Sequence, residues 1–271
     1  MGTAAATAFG LLLGDRVFHE ACDITWVSCL ASARHPTAGG HPPMSLFTLT
    51  SLACPHCGQS AEVEVCASIN ADRRPDLRAA ILDQTLQRTT CPHCEMVFRL
   101  EPQLNYLDTQ RGQWLAAFPR QRLDDWAQVE AEVQSSFDRA YGAHSSPAER
   151  EIGGKLQARL VFGWRALREK LLARELAVDD LQLELVKLLL MRGMDEPPLP
   201  LGAVLRLSGA DEDTGELQFD VLDRDDQVIE ALSVPRELLA NVADAPQDWA
   251  ELQAQLQAGR FVDIARLTRG G

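Results

Sequence analysis

The sequence predicts an α+β protein in three parts: a small β/α domain near the N-terminus, a central helical pair, and a small antiparallel sheet with helices at the C-terminus. Three observations carry this. Stretches such as "AEVEVCASIN" (61–70) alternate with the period of a half-buried strand. Residues 148–191 carry apolar residues at three- and four-residue spacing, the period of helices. From Ala203 onward, three apolar runs are separated by the turns "ADEDTG" and "RDD". The 271 residues are 46% hydrophobic and 24% charged, which is a globular composition able to bury at least one substantial core.

Residues 1–43 stand apart. They hold Cys22, Cys29, His19, His35 and His41 with no clean period and end in "HPTAGGHPP". Met44 then opens "MSLFTLTSLACPHCG", which reads like a natural start. Residues 1–43 are therefore expected to be an extension of little structure, the alternative being a short functional arm. The stretch "AAATAFGLLLG" lacks the basic flank of a secretion signal, and no run approaches the roughly 20 apolar residues of a membrane span. The expectation is a cytoplasmic protein whose cysteines are reduced or metal-bound.

The first domain is expected over residues 44–120. "LFTLTSL" reads as a strand, and "AEVEVCASIN" as a second with Val63 and Val65 inward. In "PDLRAAILDQTLQ", Leu77, Ile81, Leu82 and Leu86 have helical spacing behind Pro75. "MVFRLEPQLNYLD" reads as a strand pair or one bent strand, "TQRGQ" as a hairpin turn and "WLAAFP" as a closing strand. The helical region follows over 121–193. It opens with a helix around "LDDWAQVEAEVQSSFDRAY". A long helix from Ala148 is then expected, with Leu156, Leu160, Trp164, Leu167 and Leu171 on one face. After a break near Ala177, Asp179 and Gln182 form a capping-box pattern for a helix carrying "LVKLLLM". A helix this apolar must be buried, in its own core or against another chain. "MDEPPLPLG" reads as a rigid linker into the C-terminal α/β region, 194–271, where "RFVDIARL" is expected to dock back as a strand.

The chemistry lies in a repeated motif. "CPHC" occurs at Cys54–Cys57 and again at Cys91–Cys94, so the spacing is C-x2-C, thirty-three residues, C-x2-C. Zinc takes four soft ligands in a tetrahedron, and each Cys-x-x-Cys turn supplies two on one knuckle. Gly58 after the first pair permits the positive φ that such knuckles favour; Glu95 after the second lacks that freedom. A thiol–disulfide enzyme would place its cysteines at a helix N-terminus, whereas both pairs here precede strand-like sequence. The expected ligands are therefore Cys54, Cys57, Cys91 and Cys94, holding one structural zinc per chain with no open position for catalysis. His56 and His93 are expected to point outward from their loops. Cys66 is expected to be a small buried thiol.

The order of elements between the pairs resembles the CpXC family of bacterial proteins. The resemblance rests on "CPHCG", "VEVCASIN", "PDLRAAIL", the second "CPHC" and "LNYLD", and it covers about Met44 to Pro119. It implies a domain organised by two cysteine pairs and brings no established activity.

The remaining sequence disfavours most catalytic classes. His144 is the one histidine after Met44 outside the knuckles, and no phosphate-binding glycine loop is present. No catalytic residues are assigned. The acidic loops lack a full calcium-loop order. "NYLD" (105–108) reads as a surface strand near the knuckles that could line a small pocket, and strand patterning explains it equally well. The net charge of −13 speaks against nucleic acid, and residues 44–110 hold five Arg and no Lys against eight acids. Between Leu176 and Gly271 there are nineteen acidic and eight basic residues, a surface that suits a basic protein partner and disfavours an anionic membrane. The expected role is a non-enzymatic zinc protein with an interaction surface. A redox enzyme using the CPHC pairs, or a nucleic-acid-binding zinc ribbon, are the alternatives.

Overall fold

The computed structural model describes residues 46–193 and 202–269. The expectations for 1–43 and for the linker at 194–201 lie outside the described residues.

Strands β1 (Leu46–Ala53) and β2 (Ser60–Asn70) form an antiparallel hairpin whose connecting loop is the first knuckle. Its register shifts between Leu46 and Phe47, so the alternation expected from Val63 and Val65 does not persist. Ala61 and Val63 are buried, Val65 is half-buried, and beyond it Cys66 and Ile69 enter the core. Helix α1 (Pro75–Leu82) starts at its proline but ends before the expected Leu86. Gln84 and Gln87 then take positive φ, and Leu86 is buried from the turn rather than from a helix face. The turn meets a backbone need of β2, which pairs with its next neighbour only over Ser68–Asn70. The Gln87 side chain accepts the Cys66 N–H at 2.9 Å and donates to Glu64 O at 3.0 Å, replacing ladder bonds.

Strands β3 (Arg88–Thr90) and β4 (Val97–Arg99) make a two-stranded ribbon around the second knuckle. Strands β5 (Leu104–Asp108) and β6 (Gln113–Phe118) form the expected hairpin. After a 3-10 turn at Arg120–Asp125 come α2 (Trp126–Tyr141) and α3 (Pro147–Gly153), the latter capped reciprocally by Ser146 and Glu149.

The long helix expected from Ala148 does not exist. Gly153 and Gly154 end α3, residues Gln157–Phe162 form strand β7, and α4 (Gly163–Glu175) begins afterwards. A four-residue step from Leu156 to Leu160 keeps one face of a helix and equally one face of a strand. The edge of β6 decides the case, because β7 pairs with it in parallel from Gln113–Gln157 to Phe118–Phe162. The region 121–193 is therefore not wholly helical, and the sheet crosses residue 120. Its order is β1-β2-β5-β6-β7, so β6 is an inner strand rather than the closing one.

Gly163 turns the corner from β7 into α4 at φ +82°, and a Cβ there would sit 2.6 Å from Arg120 Cγ. Gly163→Ala is expected to destabilise the protein by about 1–2 kcal/mol from backbone conformation alone, read by chemical denaturation.

Both faces of this sheet are covered over β5, β6 and β7, while β1 is largely exposed. On one, α1 and α4 bring Leu77, Ile81, Leu167 and Leu171 onto Leu104, Tyr106, Leu115 and Val161. On the other, Trp126, Val129 and Val133 of α2 pack on Trp114, Phe118, Leu160 and Phe162. The C-terminal part has the expected antiparallel sheet, order β10-β9-β8, built from β8 (Val204–Ala210), β9 (Leu217–Leu222) and β10 (Val228–Val234). Helix α5 (Asp180–Gly193) is capped by Asp179 Oδ1, which accepts the Leu181 and Gln182 N–H groups, both at 3.0 Å. Its Leu183, Leu185 and Val186 pack into a core with β8, β9, α6 (Glu237–Asp244) and α7 (Pro246–Gln257). That burial is within the chain, as the core reading requires. The expected final strand is absent. Phe261 and Val262 are buried instead, Arg260 O accepts from Leu160 N–H at 2.9 Å, and α8 (Ala265–Thr268) follows. No helix among the described residues is long and apolar enough to cross a membrane.

Candidate metal centre

The two CPHC turns sit at the tips of two β-hairpins, β1–β2 and β3–β4, and the hairpins bring the tips together. The four sulfurs of Cys54, Cys57, Cys91 and Cys94 all lie within 4.8 Å of one another. Cys54 Sγ is 3.8 Å from Cys94 Sγ, and Cys57 Sγ is 3.8 Å from Cys91 Sγ. A metal–sulfur bond of about 2.3 Å in a tetrahedron gives a sulfur–sulfur edge of about 3.8 Å, whereas a disulfide needs about 2.05 Å. The spacing is therefore that of four sulfurs close enough to hold a metal ion, not that of a disulfide. Neither turn opens a helix, so the site lacks the helix N-terminus of a thiol–disulfide oxidase.

Both knuckles are built alike. Gly58 N–H donates to Cys54 O and Glu95 N–H to Cys91 O, each at 2.9 Å. Each turn closes through Cys54 N–H to Gln59 O or Cys91 N–H to Met96 O, again at 2.9 Å. Gly58 has φ +71° and Glu95 φ +61°, so the second knuckle takes the same shape without its glycine. Glu95→Gly is expected to stabilise the ribbon by up to about 1 kcal/mol through relief of the left-handed conformation, raising the chelator concentration needed to strip the site.

Backbone N–H groups point at the sulfurs and favour thiolates. The Cys57 N–H draws the Cys54 thiol down to about 6. The Met96 N–H pulls likewise on Cys94, but burial and the neighbouring thiols outweigh it and push that group up to about 12. Four thiolates crowded together need a cation among them. The histidines stay out of the set: His56 is exposed, and His93 Nε2 lies 3.0 Å from Ser60 O, linking the second knuckle to the first hairpin. Cys66 is a core thiol, 1% exposed, and burial pushes its pKa up to about 11.

The model of the family described as "CpXC protein" matches residues 52–187, just over half of the chain. The chain belongs to the CpXC family. The CpXC segment is longer than the resemblance over 44–119 implied, and its end at residue 187 takes in β7, α4 and most of α5. No curated protein and no solved structure matches the chain.

Two polar features of this CpXC protein differ from the sequence expectation. "NYLD" lies on the inner strand β5, with Tyr106 and Asp108 both fully buried, so it is not a surface pocket. Tyr106 donates to Asp108 Oδ2 at 3.0 Å, and burial pushes the phenol well above its usual value. The second feature is a buried ionic network that the sequence reading missed. Lys187 Nζ, fully buried, bonds Glu169 at 2.8 Å and Glu184 at 3.0 Å. Lys170 reaches Glu184 at 3.3 Å and Asp180 at 3.5 Å, Arg159 reaches Asp180 at 2.7 Å, and Arg206 bridges Glu169 at 2.9 Å and Asp263 at 2.5 Å. Four acids thus meet four bases. Glu169, Glu184 and Asp263 stand close enough to hold a metal, but the Lys187 ammonium and the Arg206 guanidinium already supply the cations. The available signal was one lysine inside the run "LVKLLLM".

Proposed function

We propose that this protein is a non-enzymatic zinc protein in which Cys54, Cys57, Cys91 and Cys94 hold one structural zinc, and that the fold so fixed presents a surface to a protein partner. The observation that carries the reading is the pair of 3.8 Å sulfur contacts between the two knuckles. Four thiolate ligands close the tetrahedron, so the metal offers no position to water or substrate. Zinc binding holds the β3–β4 ribbon against the first hairpin. That ribbon has two three-residue strands with exposed Met96 and Val97, too little to stand alone. The net charge of −13 favours a basic protein over nucleic acid as partner.

The test is metal stoichiometry on protein purified without metal-affinity steps, together with a thiol count before and after denaturation. One zinc per chain, with four thiols protected until the metal is removed, is the expected outcome. Metal-free protein whose vicinal thiols turn over as a disulfide would overturn the reading.

A further inference from the structure

A second, unrelated site lies where the end of the main sheet meets α4 and α5. Gln113, Gln157, Arg159, Lys170, Arg174 and Asp180 line a cavity of about 50 Å³ there. Gln113 is 3% exposed, and its Oε1 has no hydrogen-bond partner among the described residues. Its amide is held in place from the other side, because Nε2 donates to Lys170 O at 3.0 Å. A buried acceptor left unpaired is costly, so this one calls for a donor.

The remaining polar groups divide into spent and free. Asp180 is spent: it takes Gln157 Nε2 at 3.1 Å on one oxygen and Arg159 Nε at 2.7 Å on the other. Lys170 Nζ is spent on Val262 O, Glu184 and Asp180. Arg174 gives one Nη to Gln157 Oε1, and among the described residues no carboxylate lies within ion-pair distance of it. The cavity therefore offers one buried acceptor and one guanidinium with donors to spare. Asp179 stands at its rim.

We propose that the cavity binds a small carboxylic acid carrying a hydrogen-bond donor, an amino or hydroxy acid of the size of glycine or glycolate. The carboxylate pairs with Arg174 and the N–H or O–H donates to Gln113 Oε1. The space suits this class: at about 10–15 Å³ for each water-sized position, 50 Å³ holds about four. Arg159 and Lys170 are neutralised by Asp180 and Glu184, so Arg174 is the lining cation that has no carboxylate within ion-pair distance among the described residues, and it favours an acid over an amine.

The test is calorimetric titration of the zinc-loaded full chain with glycolate, glycine, acetate and methylamine at equal ionic strength. Glycolate or glycine is expected to saturate with a dissociation constant on the order of 1 mM, as befits so few atoms. Acetate, lacking the donor, and methylamine, lacking the carboxylate, are expected to bind at least about tenfold more weakly. Arg174→Gln removes the charge and the bond to Gln157 at a half-buried helix position; it is expected to weaken binding about tenfold while lowering the melting temperature by only about 2–4 °C, the loss of about one hydrogen bond. The proposal falls if no acid saturates, if acetate matches glycolate, or if Arg174→Gln binds like the parent. Any of these would leave a water-filled cavity.

Discussion

Replacing Cys91 with Ser is expected to remove the metal and to unfold one ribbon, not the whole protein. Zinc held by thiolates contributes about 10–16 kcal/mol in isolated fingers, so loss of one of four ligands should abolish stoichiometric binding at neutral pH. What depends on that energy is local. The two knuckles touch each other, and β3 and β4 pair only with one another. Strands β5, β6 and β7 are held separately by cores on both faces. Hydrogen exchange should therefore show protection lost over residues 88–99 and kept over β5, β6 and β7 in Cys91→Ser and in chelator-treated parent alike. Unchanged protection of β3–β4 without metal would sink the structural role. Collapse of the β6–β7 ladder would mean that the metal supports far more than the ribbon.

The second large effect lies in the buried network. Lys187→Met keeps the shape of the side chain and deletes its charge, leaving Glu169 and Glu184 short of a cation. Breaking such a pair costs about 3–5 kcal/mol, whereas exchanging all partners for apolar groups can be neutral. The double variant Glu184→Gln with Lys187→Met should therefore lose less than the sum of the two single changes. The pH response gives the sign. In the parent, burial alone would raise Asp180 and Asp263. Lys170 and Arg159 beside the first, and Arg206 beside the second, win and hold both well below the usual carboxylate range. Their folded pKa lies below the unfolded one, so their stabilisation is present above about pH 4 and fades as pH falls through the folded values. In Lys187→Met, a carboxyl without its cation has a raised folded pKa. Its contribution is full below the unfolded value and is lost as pH rises through the folded one. The deficit of the variant should thus shrink from pH 7 towards pH 5. Denaturation at the two pH values decides it, and a variant within about 1 kcal/mol of the parent at pH 7 would show that the network carries little stability.

The sequence showed the knuckles and the β1–β2 and β5–β6 hairpins because their signals are local, whereas β3, three residues long, carried no pattern of its own. Alternation in "AEVEV", the spacing of the two pairs and the turn residues each act within a few positions. What escaped it depends on partners far along the chain. Leu156 and Leu160 fit helix and strand equally, and only the edge of β6 selects the strand. Phe261 and Val262 follow Arg260, whose carbonyl takes one bond from the free edge of β7, but they enter the core as side chains and do not extend that pairing into a strand. Lys187 interrupts a leucine run, and its partner Glu169 arrives from another helix. Asp263 meets Arg206 from 57 residues away.

The family match ends at Lys187, while Arg206 and Asp263 lie beyond it. The segment that the family model matches thus does not hold all the partners of its own buried charges. Transplanted by itself, the shared segment would arrive with Glu169 facing a missing guanidinium and Lys170 without the Val262 carbonyl. A chain that carries only this segment has to bring a substitute cation or trade the whole set of charges for apolar residues at once, because each single step between the two solutions passes through a buried, unpaired ion.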